Sequence, residues 1–274
     1  MSTNMRPKDD IKIAAALGGG FFRGIAHIGF LQVMKENDIP IDIVTGTSIG
    51  SVVGSIYATG MDLYRMEQFV STLTERMLFD MTVPRQGFMK GEKILTFVRT
   101  LTGNKTFEQT NIPFACVACD IETGERVVLD KQLDLCDAVR ASISVPGVFE
   151  PYRIGERLLV DGGLKERVPV TTAYEMGADF VIGCDVGVRE GVFPVNGIME
   201  IMLRTLEIME TNTISLGRDA DVVVMPNVRD ISMMSLNQSA DCLDRGRKAA
   251  QAQIEEIKAA IEKAREKKAQ RKAE

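Results

Sequence analysis

The feature that most constrains this chain is an alternation of two kinds of segment. Apolar runs that read as fully buried strands end on glycine or aspartate, and stretches with helical periodicity follow them. IKIAAAL, residues 11–17, is such a run and closes on Gly18-Gly19-Gly20. Arg23–Asn37 then carries Ile25, Ile28, Leu31 and Met34 at helical spacing. Residues 41–45 form a second buried run, with a second helix over 49–59. A more polar helix over 63–78 and another near 93–102 flank the irregular MTVPRQGFMKG. Strands at 114–121 and 126–129 enclose ETGE as a hairpin turn, and 152–153 and 157–160 enclose IGE as another. A helix over 134–142 is stopped by Pro146, and strands at 180–184 and 222–225 complete the set. Alternating strands and helices require right-handed crossovers, which predicts a largely parallel sheet with helices on both faces.

At 274 residues and 45% apolar, the chain has the size of one large α/β domain. No apolar run is long enough to span a bilayer, and MSTNMRPKDD has no apolar signal segment, so a cytoplasmic protein is expected. Five cysteines, an odd number in mostly apolar surroundings, predict reduced thiols. Residues 245–274 hold ten Lys/Arg against five Asp/Glu, so within an overall net charge of −5 the remainder carries −10. Nucleic acid is therefore not an expected partner of the core. The expected layout is an N-terminal tail over 1–10, one domain over 11–240 and a charged C-terminal helix over 241–274. The connections 83–91 and 188–195 are expected to be mobile.

Within the second strand-turn-helix unit stands Gly46-Thr47-Ser48-Ile49-Gly50. GxSxG at a strand-to-helix elbow presents a serine Oγ above the sheet edge, with Gly46 and Gly50 allowing strand and helix to pass closely. The competing reading is that Ser48 or Thr47 simply caps the helix. The chain has one histidine, His27, upstream of Ser48 and inside the first helix. It reads as a packed helix residue, so a Ser-His-Asp triad is not expected and any base should be a carboxylate. Asp161 ends a strand before Gly162-Gly163 and is the candidate; Asp120 and Asp185 also end strands and are rivals. An Asp-Gly turn is the plainer reading of Asp161.

The segment Gly18-Gly19-Gly20-Phe21-Phe22-Arg23-Gly24 suits phosphate binding or an oxyanion hole, since both need backbone N–H groups at a helix start. The phosphate motifs fail in detail. Gly24 is followed by Ile25-Ala26 rather than Lys-Ser/Thr, and no GxGxxG register fits. A nucleotide-binding module is therefore a remote third reading.

Taken together, ALGGGFFRGIAHIGFLQVM, DIVTGTSIGSVVGSIYATG, DLCDAVRASISVPGVFEPYRIGERLLVDGG and MGADFVIGCDV resemble the patatin-like phospholipase family, in particular its bacterial single-domain members. The resemblance spans roughly residues 11–186. It implies a three-layer α/β/α sandwich and a Ser-Asp dyad with Ser48 as nucleophile and Asp161 as proton acceptor. It also implies oxyanion donation by the N–H groups of Gly19 and Gly20, with Gly18, Phe21, Arg23 and Gly24 supporting the loop. The implied activity is hydrolysis of phospholipid, lysophospholipid or related acyl esters through an acyl-enzyme, without metal or cofactor. A thioesterase or general carboxylesterase is the nearer alternative, and a catalytically weak adaptor the alternative of another class. Two departures stand out. The family's G-G-G-x-R-G pattern sets its third glycine at Phe21, and its Asn-Pro after DGG is Glu166-Arg167 here.

Other features take structural readings. Cys116 and Cys119 face opposite sides of one strand and have no second pair for zinc. RASISVPGVFEPY is expected to link core and site, its alternatives being acyl-pocket lining or a helix stop at proline. Ile254, Ile257 and Ile261 form a narrow stripe on an expected helix over 249–271, read as a docking stripe; peripheral contact of its basic end with the inner membrane surface is the alternative. Met199, Met202 and Met209, at helical spacing, are expected in the core. By the resemblance, lipid or acyl esters are the expected substrates.

Overall fold

The computed structural model describes residues 10–83, 86–187, 197–213 and 219–273. The expected tail up to residue 9, residues 84–85 of the 83–91 connection and the whole 188–195 connection lie outside the described residues. In chain order the strands are β1 (Ile13–Leu17), β2 (Ile43–Thr47), β3 (Gly87–Met89), β4 (Phe114–Asp120), β5 (Arg126–Leu129), β6 (Gly147–Phe149), β7 (Tyr152–Ile154), β8 (Arg157–Asp161), β9 (Phe180–Cys184) and β10 (Val222–Val224). The helices are α1 (Ala26–Glu36), α2 (Ile49–Ala58), α3 (Leu63–Val70), α4 (Glu75–Leu78), α5 (Glu92–Thr102), α6 (Leu135–Ser142), α7 (Val170–Glu175), α8 (Ile198–Thr213), α9 (Ser239–Ala252) and α10 (Ile254–Ala273).

The main sheet runs β10-β9-β1-β2-β4-β8-β7, with β5 also paired to β4. Its first five strands are parallel, and β8, β7 and β5 are antiparallel additions. The period-two alternation of β1 divides the core. Ile13, Ala15 and Leu17 join the large cluster with residues of α1, α2, α5 and α9. Ala14 and Ala16 face the other way, onto Val170 and Ala173 of the short α7. The sandwich is therefore three-layered as expected but unequal, and alanine on the thin side lets a two-turn helix sit close.

The register around β4 decides where the site forms. Cys116 pairs with Leu129 of β5 and with Gly46 of β2, while Ala118 pairs with Val127 of β5 and with Asp161 of β8. A strand has two edges and β5 occupies one of them. So β2 and β8 share the other, tip to tip: β2 ends at Thr47 beside Val117, and β8 arrives from the opposite direction with Asp161 beside Ala118. The residue after β2 is Ser48.

Several elements differ from the sequence reading. A 3-10 turn, Phe21–Ile25, precedes α1, and the expected 63–78 helix is broken between α3 and α4 around Thr72-Leu73-Thr74. β3 and β6 form a small parallel pair inside segments read as irregular; three-residue strands are too short to show a period. The C-terminal helix is two helices meeting at Gln253. Helix α9 crosses α1 at close range, because a Cβ on Gly246 would lie 2.0 Å from the Ala26 carbonyl oxygen. In α10 the stripe Ile254, Ile257 and Ile261 is buried, and Arg265 and Lys268 pair with Asp10 and Asp179 at 2.9 and 2.7 Å.

Candidate active site

Ser48 stands between β2 and α2 with φ 54° and ψ −127°, a left-handed conformation rare for a residue with a side chain. Its side chain makes no capping bond, so the cap reading fails. The elbow is enforced by what surrounds it. A Cβ on Gly50 would lie 2.0 Å from the Leu17 carbonyl oxygen, and one on Gly46 would lie 2.5 Å from that of Gly50. The Ser48 N–H donates to Ser142 Oγ at 3.1 Å, and Ser142 Oγ–H donates to the Val117 carbonyl at 2.7 Å.

Asp161 is buried at the tip of β8, and its own N–H donates to the Ser144 carbonyl at 2.9 Å. The strap Ser142–Ser144 thus holds both tips, Ser48 through a side chain and Asp161 through the backbone. Nothing in the motifs of RASISVPG marks Ser142 for this; only the register around β4 brings it there. Asp161 Oδ1 accepts the Gly163 N–H at 2.8 Å. Oδ2 is buried and has no partner of good hydrogen-bond geometry, although the Ser48 hydroxyl interacts with the carboxylate and stabilises its charged form. The Ser48–Asp161 contact is thus long or bent, as catalytic bonds in unliganded enzymes commonly are. Burial pushes the Asp161 carboxyl up to about 6, against the opposing pull of Ser48 and Gly163.

The rivals are committed elsewhere. Asp120 Oδ1 accepts the N–H groups of Glu122 and Thr123 in the β4–β5 turn, and Asp185 pairs with Arg167 at 2.7 Å. His27 is fully buried, its Nε2 lying 2.8 Å from the Gly18 carbonyl. A carbonyl only accepts, so Nε2 carries the proton. Burial lowers its pKa to about 4, which keeps the ring neutral.

The glycine loop needs one correction. The Gly19 N–H, expected to face an oxyanion, donates to the Arg167 carbonyl at 3.0 Å, and the Gly18 N–H donates to the Cys184 carbonyl at 3.0 Å. Among the described residues the N–H groups of Gly20 and Phe21 have no acceptor, and both residues line the Ser48 cavity. The open donors therefore lie one residue further along. Phe21 takes φ 53°, a left-handed conformation that a glycine would adopt without cost. Arg23 is buried, donating to Glu207 at 2.9 Å and to the Ile231 carbonyl at 3.0 Å, which ties the loop to α8. Gly24 lets the 3-10 turn pack on Ile49.

The second departure is also structural. Glu166 accepts from Arg126 at 2.7 Å and from the Thr172 N–H and hydroxyl at 3.0 and 2.7 Å, while its carbonyl accepts the Thr47 hydroxyl at 2.8 Å. It stitches the segment after Asp161 to β2, β5 and α7.

These groups meet in a cavity of about 430 Å³ lined by Ser48, Asp161, Gly19, Gly20 and Arg167, with apolar walls from Phe21, Val145, Leu203, Leu206 and Met233. A second cavity of about 650 Å³, lined by apolar residues such as Val52, Ile56, Met66 and Phe97, lies between α2, α3 and α5. Helix α8 closes the first cavity with Leu203 and Leu206, but Ile198, Ile201, Ile208 and Met209 are each more than half exposed. Met209 is thus outside the core where its spacing suggested it belonged.

The patatin-like phospholipase model matches residues 15–174, a stretch that contains both strand tips and the glycine loop. The chain belongs to the patatin-like phospholipase family. This patatin-like chain is 35% identical over 192 residues to an uncharacterised NTE family protein of Mycobacterium tuberculosis, covering 68% of itself and 52% of that relative. It is 30% identical over 190 residues to lysophospholipase NTE1 of Debaryomyces hansenii, covering 67% of itself and 12% of that much longer protein. It spans about half the length of the mycobacterial relatives. Among solved structures, VipD from Legionella pneumophila shares the fold with a TM-score of 0.65 at 13% identity, over 90% of this chain and 67% of that one. Among the described residues no helix is long and apolar enough to cross a membrane.

Proposed function

We propose that this protein is a serine acyl hydrolase that cleaves carboxylic esters of phospholipids, lysophospholipids or related lipids through a Ser48–Asp161 dyad. The observation that carries the reading is the strained, non-capping Ser48 beside a buried carboxylate oxygen that lacks a well-formed partner. Asp161 accepts the Ser48 hydroxyl proton as Oγ attacks the ester carbonyl. The tetrahedral anion is held by the N–H groups of Gly20 and Phe21. Collapse breaks the ester C–O bond, and the leaving alcohol takes the proton from Asp161. Water, deprotonated by Asp161, then attacks acyl-Ser48, and collapse releases the carboxylic acid as Asp161 returns the proton to Ser48 Oγ. A carboxyl with a pKa of about 6 is a better base for an alcohol than an ordinary one and is still ionised at neutral pH.

The walls formed by Phe21, Val145, Leu203 and Leu206 suit an acyl chain near the reacting carbonyl. Peripheral membrane contact fits the outer face of α8 better than α10, whose isoleucine stripe is already buried. The test is labelling with a fluorophosphonate, with the modified residue mapped by mass spectrometry. Label on Ser48 that disappears in Asp161→Asn supports an activated dyad. A folded protein that takes no label leaves the adaptor reading instead. Comparing acyl-CoA with lysophospholipid turnover separates thioesterase from lipase chemistry.

A further inference from the structure

The Ser48 cavity contains a cation that the proposed acyl transfer leaves unused. Arg167 Nη2 donates to Asp185 Oδ2 at 2.7 Å, and both side chains are about 1% exposed. Arg167 Nε and Nη1 are buried and have no acceptor among the described residues. Asp185 turns its other oxygen to the Gly187 N–H at 2.9 Å, so the carboxylate engages only part of the guanidinium. A buried charged donor without an acceptor is unfavourable, and sites that tolerate one commonly await a ligand. Structural economy does not explain it either, because the Arg167 carbonyl, not its side chain, holds Gly19.

The guanidinium is aimed by its neighbours. Nη1 lies against Gly187, where a Cβ would come within 1.2 Å of it, and Gly187 and Arg167 both line the cavity with Ser48 and Asp161. Gly19 lies between nucleophile and cation: a Cβ there would be 3.4 Å from Ser48 Cβ and 4.0 Å from Arg167 Cγ. Those two side chains therefore originate within the reach of a glycerol backbone. Of the two carboxylates at the wall, Asp161 is the proposed base and Glu207 already pairs with Arg23 and Arg204 at 2.9 and 2.8 Å.

We propose that Arg167 is a specificity-determining residue of this site, binding a phosphate oxygen that the substrate carries about one glycerol length from the scissile ester. The proposal rests on the acyl-hydrolase reading of Ser48 and deepens it. It makes glycerophosphate esters the favoured substrates over neutral acylglycerols, and it gives the Glu166-Arg167 departure a chemical purpose. Guanidinium is suited to the task, since it is always charged and directs several N–H donors at one oxyanion.

The test measures binding without turnover. Wild-type protein, Arg167→Lys, Arg167→Met and Gly187→Ala are titrated with a short-chain alkyl ether of glycerol phosphate and with the same ether lacking the phosphate. The expected result is at least about tenfold tighter binding of the phosphate ether by wild type. Arg167→Met abolishes that preference, Arg167→Lys keeps most of it, and Gly187→Ala weakens it by displacing the guanidinium without removing the charge. Thermal unfolding shows which variants fold, and Gly187→Ala carries the test if Arg167→Met does not. Equal binding of the two ethers by wild type, or a preference that survives both Arg167→Met and Gly187→Ala, overturns the proposal. Inorganic phosphate that binds as tightly as the phosphate ether makes this a free-anion site and overturns the lipid assignment. Hydrolysis of the matching esters is read separately. A retained binding preference with no hydrolysis overturns only the hydrolase reading, and hydrolysis with no preference overturns only the role of Arg167.

Discussion

The two strand tips at the site share the Ser142–Ser144 strap but differ in what sets the reacting side chain. Ser48 is fixed by crowding: its left-handed backbone sits where Gly46 and Gly50 leave no room for a Cβ. Asp161 is followed by a crowded Gly162, where a Cβ would lie 2.2 Å from the Val117 carbonyl oxygen. The Asp161 carboxylate is nevertheless set by hydrogen bonds, to Gly163 through the side chain and to Ser144 through the backbone, with Glu166 bracing the segment that follows. A sterically set position either fits or does not. A position set by polar partners responds in degrees, because each partner can be weakened or titrated separately. The elbow should therefore fail abruptly and the aspartate turn gradually.

The largest expected effect is at the reacting atoms. Ser48→Ala should lower ester hydrolysis on the order of 10³-fold or more while leaving the melting temperature nearly unchanged, since the hydroxyl caps nothing. A Ser48→Ala protein that still turns over ester would break the comparison at its root. Asp161→Asn should be nearly as inactive but more stable at pH 8. Burial raises the folded pKa from 3.8 to about 6, so the folded state holds this proton more tightly than the unfolded chain does. That contribution to stability is present below about pH 4 and lost as pH rises through about 6. Removing the buried charge should then return up to about 3 kcal/mol at pH 8, read by chemical denaturation. The same titration predicts kcat/KM falling about tenfold per unit below pH 6, because the protonated carboxyl cannot accept.

Gly50→Ala tests the crowded side. With a Cβ 2.0 Å from the Leu17 carbonyl oxygen, it should cost roughly 3 kcal/mol or more and take activity with it. Glu166→Gln tests the polar side: about tenfold lower kcat with a stability loss near 1 kcal/mol, since Arg126 is partly solvated and retains Glu175. If Gly50→Ala proved mild and Glu166→Gln catastrophic, the contrast would be inverted. The smallest effect is expected at the surface, where Ile208→Glu should slow hydrolysis of vesicle substrate about threefold and leave a soluble ester unaffected.

The contrast also tells what was legible in the sequence. The parallel half of the sheet could be read from apolar runs such as IAAAL and FVIGC, because buried strands announce themselves by composition. Ser48 could be read because crowding demands glycines at fixed offsets. The polar partners could not. Ser142 and the Arg167 carbonyl hold Ser48 and Gly19 across long stretches of sequence, and no local period encodes them. Which N–H groups of the glycine loop stay open is equally hidden, because a GGG string does not show which one a distant carbonyl will take. β3 and β6 were missed because three residues carry no pattern.

The meeting of β2 and β8 on one edge of β4 has a consequence for synthesis. A chain emerging from the ribosome completes β1, β2 and α2 long before β8 exists, so the elbow is made well ahead of its carboxylate neighbour. Contacts of such long sequence separation also form slowly. If Asp161 is the base of Ser48, as proposed, a nascent or half-folded molecule would carry the serine without it. On the proposed mechanism, reactivity toward lipid waits until β8 has paired with β4.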